Sequence, residues 1–86
     1  MPMLSIPIEV RFWKYTERAE NGCLLWTGYK NQNGYGQISV DGRRRLAHRA
    51  VWEMENGPIP SGFGVLHSCD TPACVELDHL RLGTQK

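Results

Sequence analysis

The segment His67-Ser-Cys-Asp-Thr-Pro-Ala-Cys-Val-Glu-Leu-Asp-His79 concentrates cysteine and histidine in one short part of the chain. Four residues separate Cys69 from Cys74, and four more separate Cys74 from His79. Thiolates and imidazoles are preferred ligands of Zn²⁺, and a structural zinc site takes four of them. Because only one other cysteine exists, the spacing predicts one zinc ion held by Cys23, Cys69, Cys74 and His79. An alternative is that the thiols are buried, free and apolar in behaviour.

The composition is that of a small domain whose fold needs stabilisation beyond its hydrophobic core. The chain has 86 residues, 41% of them apolar, with nine Gly and five Pro. At this size a hydrophobic core alone is marginal, so a bound metal would add needed stability. The cysteine count is odd, which fits a Cys₃His metal site better than a disulfide framework.

The N-terminal segment and the free thiols predict a cytoplasmic protein. Residues 2–10 lack the basic start and the cleavage site of a signal peptide, and no apolar run reaches transmembrane length. Free thiols suit a reducing compartment. We therefore expect no membrane contact.

Residue periodicity predicts a single α+β domain over residues 1–86. Residues 1–22 form an N-terminal helical region, with a helix over 5–19 that has Ser5 as N-cap and Pro7 in its first turn. Residues 23–46 predict an antiparallel sheet with a hairpin turn at Asp41-Gly42. Residues 47–56 predict a second helix, ended by Gly57. The aromatic side chains expected in the core are Phe12, Trp13, Trp26 and Trp52.

The C-terminal part, residues 65–86, predicts two short strands around the metal segment. Strands over 65–67 and 80–82 would pair antiparallel, and Gly83 would end the second strand. Thr84 has the character of an N-cap for a helix that begins at Gln85. Since Lys86 is the last residue given, we expect this final helix to be truncated.

Basic residues are concentrated in one part of a chain whose formal net charge is only +1. Between Tyr29 and Arg49 there is a single acid, Asp41, against the basic residues Lys30, Arg43, Arg44, Arg45 and Arg49. One face can therefore be basic although the total charge is small, which favours a nucleic-acid partner.

The ordered motifs of the chain resemble the HNH, or His-Me finger, endonucleases. The closest resemblance is to the zinc-stabilised phage type related to the Cys-His-box homing endonucleases. The motifs that carry it are Gly22-Cys-Leu-Leu-Trp-Thr-Gly28, Gly34-Tyr-Gly36, Ala47-His-Arg49, Asn56-Gly-Pro-Ile-Pro60, Val65-Leu-His-Ser-Cys-Asp-Thr-Pro-Ala-Cys-Val75 and Asp78-His-Leu-Arg-Leu-Gly-Thr84. The resemblance covers about residues 12–84, and its specific part is the spacing from His67 to His79.

The resemblance implies a metal-dependent DNA endonuclease. His67 matches the general base that takes a proton from the attacking water. The four zinc ligands match a structural site, although a rival assignment makes His67 a ligand in place of Cys23. A second, catalytic cation, Mg²⁺ or another divalent ion, is expected in the family, and its ligand helix would lie beyond Lys86. The family usually has Asn-Pro where this chain has Glu76-Leu77, which puts the loop geometry in doubt.

Double-stranded DNA is the expected partner, read by the sheet and the segments beside it. A two-stranded ribbon fits the major groove, where Asn and Gln can read adenine and Arg can read guanine. Arg44 is expected to alternate to the other face of the ribbon, and solvated surface is the alternative for the whole set. The candidate residues are Lys30, Asn31, Gln32, Asn33, Gln37, Arg43 and Arg45, with His48 and Arg49 as phosphate contacts by resemblance to the Ala-His-Arg motif.

These observations predict an HNH-type endonuclease domain of phage or a related mobile element, with His67 as general base and impaired cleavage. The alternative is a catalytically inactive, zinc-stabilised module that binds DNA or another protein. Related nucleases often dimerise, so a homodimer is a candidate assembly.

Overall fold

The structure, a computed structural model, describes residues 8–40 and 42–84. Within them the chain is an α+β fold of short elements, with three two-stranded antiparallel sheets and one ten-residue helix. In chain order the elements are α1 (Ile8–Arg11), a 3₁₀ turn (Phe12–Tyr15), β1 (Thr16–Arg18), β2 (Leu24–Trp26), β3 (Gln37–Val40), β4 (Arg43–Leu46), α2 (Ala47–Asn56), β5 (Phe63–His67), a second 3₁₀ turn (Leu77–His79) and β6 (Leu80–Thr84). None of the helices in these ranges is long and apolar enough to span a membrane.

The N-terminal helix predicted over 5–19 is much shorter than expected. Helical structure ends at Tyr15, and Thr16 is extended, with φ −129° and ψ 149°. Its hydroxyl donates to the carbonyl of Trp13 at 2.9 Å, and the strand that begins there pairs antiparallel with β2. Tertiary pairing thus overrides the helical spacing of the apolar residues. Ser5 and Pro7 lie outside the described residues.

The sheet predicted over 23–46 is divided between different partners. β2 pairs with β1, and an antiparallel bridge joins Leu25 to Cys74 on the metal segment. β3 pairs with β4 alone, with Val40 opposite Arg43, so the predicted hairpin is present. Gly42 has φ +79°, a value that favours glycine, while Asp41 lies outside the described residues. Consequently β2 links the N-terminal part to the metal segment.

Helix α2 has the predicted bounds and packs one face on the core. Ala47, Ala50 and Val51 are buried, and Gly57 donates its backbone N–H to the carbonyl of Glu53 at the helix end. The core also holds Phe12 and Trp26, whose ring centroids are 4.9 Å apart. Trp52 is half-buried against this core. The expectation for Trp13 is wrong, because that side chain is 43% exposed.

The β5–β6 pair is longer than the predicted strands. Five residue pairs join it, from Phe63 opposite Thr84 to His67 opposite Leu80. Gly83 does not end β6, which continues to Thr84. A side chain at position 83 would overlap that of Leu66, so glycine permits the close approach of Leu66 to this strand. Thr84 is the last residue of β6. The expected helix start at Gln85 lies outside the described residues.

Candidate metal centre and active-site groove

Four side chains form a compact group that can hold a metal ion. The ligand atoms of Cys23, Cys69, Cys74 and His79 all lie within 4.8 Å of one another. His79 Nδ1 is 3.7 Å from Cys23 Sγ and 3.5 Å from Cys74 Sγ. Two ligands of one tetrahedral zinc, with bonds of about 2.3 Å to sulfur and 2.0–2.1 Å to nitrogen, are about 3.6 Å apart. The donor set and its spacing therefore fit Zn²⁺, and His67, the ligand of the rival assignment, is not in this group.

Backbone pairing between β2 and the metal segment brings these ligands together. Trp26 N–H donates to the Ala73 carbonyl at 2.8 Å, and Val75 N–H donates to the Leu24 carbonyl at 2.7 Å. This pairing sets Cys23, directly before β2, beside Cys74. The 3₁₀ turn at Leu77–His79 then returns the fourth ligand to the same point. The ligand most distant in sequence is thus placed by strand pairing.

The thiols of Cys69 and Cys74 differ in how readily they lose a proton. Burial acts to raise the pKa of Cys69, but the Thr71 backbone N–H and the neighbouring thiols outweigh it and lower this pKa to about 7. Burial raises the pKa of Cys74 to about 12, and the neighbouring Cys23 and Cys69 act in the same direction. A thiolate in this cluster makes a second thiolate costly unless a cation is bound, because like charges repel at short range. The group is suited to a divalent ion.

An ion pair that the sequence did not suggest links both sides of the cluster. Arg18 contacts the Glu76 carboxylate and also donates to the Gly22 carbonyl at 3.0 Å. Glu76 in turn accepts the Asp78 N–H at the start of the second 3₁₀ turn. Arg18 lowers the pKa of Glu76. Glu76 thus braces this loop through its contacts with Arg18 and the Asp78 N–H.

His67 ends β5 and is anchored to the metal segment. Its Nε2 atom lies 2.9 Å from the Cys74 carbonyl oxygen. A carbonyl only accepts hydrogen bonds, so Nε2 carries the hydrogen and the neutral ring has its lone pair at Nδ1. His67 is half-buried. Its ring is therefore oriented with a defined proton acceptor.

Two adjoining cavities share His67 and Tyr35. One, of about 240 Å³, is also lined by His48 and Arg49. The other, of about 330 Å³, is also lined by Asp70 and Arg81. We call this pair of cavities the groove. Neither arginine forms an ion pair with another described residue, so each of the two cavities that share His67 has a cationic group in its lining. Arg81 was not among the site residues predicted from the sequence, where the one indication of its role is its position two residues after His79.

His48 is placed differently from its predicted role as a phosphate contact. The side chain is 5% exposed, and its Nε2 lies 3.1 Å from the Val65 carbonyl oxygen. Burial, followed by the effect of His67, lowers the pKa of His48 to about 4 despite the bond to Val65. A buried neutral imidazole is unsuited to holding phosphate. Arg49, the next residue, is half-exposed in the groove and remains the candidate for that contact.

The arginines of the β3–β4 ribbon alternate between its two faces, but the register places them on other faces than expected. Cross-strand partners share a face, and buried Ile38 is opposite Arg45 while Val40 is opposite Arg43. Arg45 accordingly lies 3.7 Å from Glu53 of α2. The other face carries Gln37, Ser39 and Arg44. There the Arg44 guanidinium is 4.7 Å from the centroid of the exposed Tyr29 ring. Arg43 and Arg45 therefore do not share a face with Gln37 as predicted.

The polar residues of the loop before β3 have two different roles, since one shapes the turn and the others are exposed. Asn31 Oδ1 accepts the N–H groups of Asn33 and Tyr35, at 2.9 and 3.1 Å, which shapes the turn. Lys30, Gln32 and Asn33 are exposed. Three of the four predicted contact residues in this loop are therefore accessible, and Asn31 maintains its shape.

Fold and site together define a small α+β domain with a Cys₃His metal-binding group beside an anchored histidine. Comparison with known families gives a match to the HNH endonucleases over residues 45–86. Over these residues the chain belongs to this family. The matched region includes three of the four ligands, the groove arginines and His67.

Several phage proteins are similar in sequence. Protein 7.7 of Escherichia phage T7 is 45% identical over 64 residues, which cover 74% of this chain and 49% of the relative. Protein 2.8 of the same phage is 44% identical over 68 residues, covering 77% and 45%. The uncharacterized gene 5.3 protein of Enterobacteria phage T3 is 36% identical over 67 residues, covering 70% and 66%. The chain spans about half the length of the two T7 relatives. No solved structure matches it significantly.

Proposed function

We propose that this chain is a DNA-cleaving domain in which His67 is the general base. The observation that carries the proposal is the bond between His67 Nε2 and the Cys74 carbonyl, 2.9 Å long. It leaves Nδ1 as the proton acceptor beside a groove with one arginine in the lining of each cavity. An oriented base and flanking cations are what phosphodiester hydrolysis requires of a protein.

In the proposed reaction, Nδ1 of His67 takes a proton from a water molecule as its oxygen attacks phosphorus. The phosphorus–oxygen bond to the leaving group breaks, and the departing oxygen takes a proton from solvent. Arg49 and Arg81 hold the charged phosphate between them. His67 holds the abstracted proton until it exchanges with water. Positioning and charge stabilisation supply most of the rate in such reactions.

Zn²⁺ is the proposed occupant of the Cys₃His group, with a structural role. Four protein ligands close a tetrahedral site and leave no position for substrate. The ion would join the segment before β2 to the segment between β5 and β6. Because the carbonyl that orients His67 belongs to the ligand residue Cys74, the same ion would stabilise the base. The order of strand, metal loop and strand, with the base at the end of the first strand, supports a His-Me finger arrangement.

A hard divalent cation such as Mg²⁺ supplies charge stabilisation at the scissile phosphate in the family. Within residues 8–40 and 42–84, no second group of three or more potential donors accompanies the Cys₃His group. Asp70 is one carboxylate that lines the groove with His67. One carboxylate does not make a complete site, and no reaction step of this proposal depends on it.

The DNA contact surface proposed here combines the outer ribbon face with the preceding loop. Arg44 and Gln37 share that face, and Lys30, Gln32 and Asn33 are exposed nearby in sequence. In the stacked Arg44–Tyr29 pair, a cationic group and an aromatic ring lie next to each other on this surface. Phosphate contacts from Lys and Arg would supply affinity, and the amides would supply base contacts.

The direct test is nicking of supercoiled plasmid DNA with Mg²⁺ or Mn²⁺ present. We expect His67→Ala to lower the rate by about 10²–10⁴-fold, the usual contribution of a general base. Glu55→Gln, an exposed change on α2, is the matched control and should retain the rate. Zinc content and the circular dichroism spectrum of both variants should equal those of the unmodified chain.

Two results separate the proposal from its alternatives. Equal nicking by the His67→Ala variant would assign any activity to another group or to a contaminant. Salt-sensitive DNA binding without nicking would support the inactive DNA-binding module, and loss of both would favour a protein-interaction module.

A further inference from the structure

His48 is a buried histidine for which metal binding and phosphate contact leave no role. It is the second residue of α2 and only 5% exposed. Its Nε2 carries the hydrogen that the Val65 carbonyl accepts at 3.1 Å, so Nδ1 is a bare acceptor. This Nδ1 is buried and has no hydrogen-bond partner among the described residues. A buried acceptor without a partner is destabilising, so packing alone does not account for histidine here.

The contacts of His48 converge on His67. The two ring centroids are 4.5 Å apart, with 39° between the ring planes. Val65, which accepts the Nε2 hydrogen bond, lies two residues before His67 on β5. Tyr35 completes a cluster of three rings, at 5.5 Å from His48 and 6.0 Å from His67. His48 therefore contacts both the strand and the ring of the proposed base.

A histidine ring needs more than one contact to have a fixed orientation. The bond from Nε2 to the Cys74 carbonyl fixes one atom of His67 but permits the ring to rotate about that point. A flat, immobile neighbour against the ring face removes this freedom. A neutral neighbour is required, since a cation at 4.5 Å would oppose proton uptake by His67. Burial keeps His48 neutral by lowering its pKa to about 4.

We infer that His48 is a positioning residue that sets the plane of the His67 ring, through its bond to Val65 and its ring contact. The inference rests on the proposed function for its catalytic consequence, but the orientation itself is a property of the folded chain. Phenylalanine would keep a flat ring without the bond to Val65, and glutamine would keep a donor without the ring. Histidine supplies both.

The test uses the His48→Phe and His48→Gln variants in the full chain, with Val51→Ala as control. Val51 is fully buried in the same helix and contributes to the core without being one of the three rings. Long-range ¹H–¹⁵N spectra of the histidine rings report the tautomer of His67 and its ring dynamics. Plasmid nicking gives kcat and KM for the same proteins.

We expect the unmodified chain to show a single His67 tautomer protonated at Nε2, and ring-to-ring nuclear Overhauser contacts with His48. His48→Gln should give a tautomer mixture or broadened His67 signals, with kcat lower by roughly 10–100-fold and KM unchanged. His48→Phe should lie between this variant and the unmodified chain. Val51→Ala should lose stability while keeping the His67 signals and kcat.

Unchanged His67 signals in folded His48→Gln and His48→Phe would overturn the inference. If these variants fail to fold, absence of the ring-to-ring contacts in the unmodified chain would overturn it, and their presence would support it. A chain that does not nick DNA but shows the expected spectra would refute the proposed function and leave the positioning role standing.

Discussion

Replacement of Cys23 by serine tests the metal centre at the ligand that is farthest away in sequence. Cys23 is 1% exposed and its Sγ lies 3.7 Å from His79 Nδ1. Serine is nearly isosteric but is a poor zinc ligand, because a neutral hydroxyl replaces a soft thiolate. The substitution should therefore open the site with little change in side-chain volume.

The expected effect is large for a domain of this size. At about 0.05–0.15 kcal/mol per residue, 86 residues have a stability of about 4–13 kcal/mol. Structural zinc sites have apparent binding free energies of about 10–16 kcal/mol, comparable to this total. Loss of a group that only hydrogen-bonds to a ligand weakens metal binding by about 10–100-fold, or about 1.4–2.8 kcal/mol, so loss of a direct ligand should cost at least about 3 kcal/mol. This corresponds to a fall in Tm of at least about 12 °C.

The assay combines zinc stoichiometry with thermal unfolding, with and without a chelator. The unmodified chain should bind one zinc per molecule, and its Tm should fall when the zinc is removed. Cys23→Ser should show reduced zinc content and a lower Tm. The difference in Tm between the two proteins should shrink in the chelator, since only the packing difference then remains. This comparison separates metal binding from burial of the side chain.

The assignment of Cys23 would be refuted by unchanged zinc stoichiometry and Tm in the Cys23→Ser variant. A Tm difference of equal size with and without chelator would also contradict it, because it would show that Cys23 contributes through packing. The remaining cluster would then need a different fourth ligand.

Three further outcomes follow from the geometry. Gly36→Ala should lower the free energy of unfolding by about 1–3 kcal/mol in denaturant titrations, because a methyl group there would overlap the buried Trp26 indole; equal midpoints would contradict this packing. Arg44→Ala should weaken DNA binding and reduce the slope of log K against log salt concentration by about 1, whereas Arg45→Ala should chiefly lower stability. A larger loss of DNA binding in Arg45→Ala than in Arg44→Ala would show that the other ribbon face contacts DNA. The pKa of His48 in the folded chain is about 4, against 6.5 for an ordinary histidine, so the unfolded chain binds a proton here more readily than the folded chain. The free energy of unfolding should therefore be unaffected by this group above pH 6.5 and should fall by up to about 3 kcal/mol as the pH is lowered toward 4. Unfolding of the His48→Phe variant should lack this part of the pH dependence.

The members of the Cys₃His group and the strand order around them were predictable because they depend on residue type and spacing. Cysteine and histidine have few roles, and three cysteines with one histidine complete a tetrahedral set. The hairpin at Gly42 and helix α2 were predictable for a similar reason, since local turn chemistry and helical spacing decide them. Local signals of this kind need no knowledge of distant partners.

Features that depend on distant partners were predicted poorly. Helical spacing continued past Tyr15, but pairing with β2 makes Thr16–Arg18 a strand. Gly83 has a low strand propensity, yet it lies inside β6, where the side chain of Leu66 occupies the position that a Cβ atom would take. The arginines of β4 alternate as expected, but which of them face outward depends on the register with Ile38.

The members of the Cys₃His group, the family resemblance and the residue proposed as the base follow from the sequence alone, because each rests on chemical identity at a particular spacing. How these groups face one another follows from tertiary packing. It placed the Cys74 carbonyl on His67 Nε2, buried the side chain of His48 and set its ring against His67. Hydrogen-bond direction, burial and ring contact are relations between segments distant along the chain, so they arise only when the segments pack together.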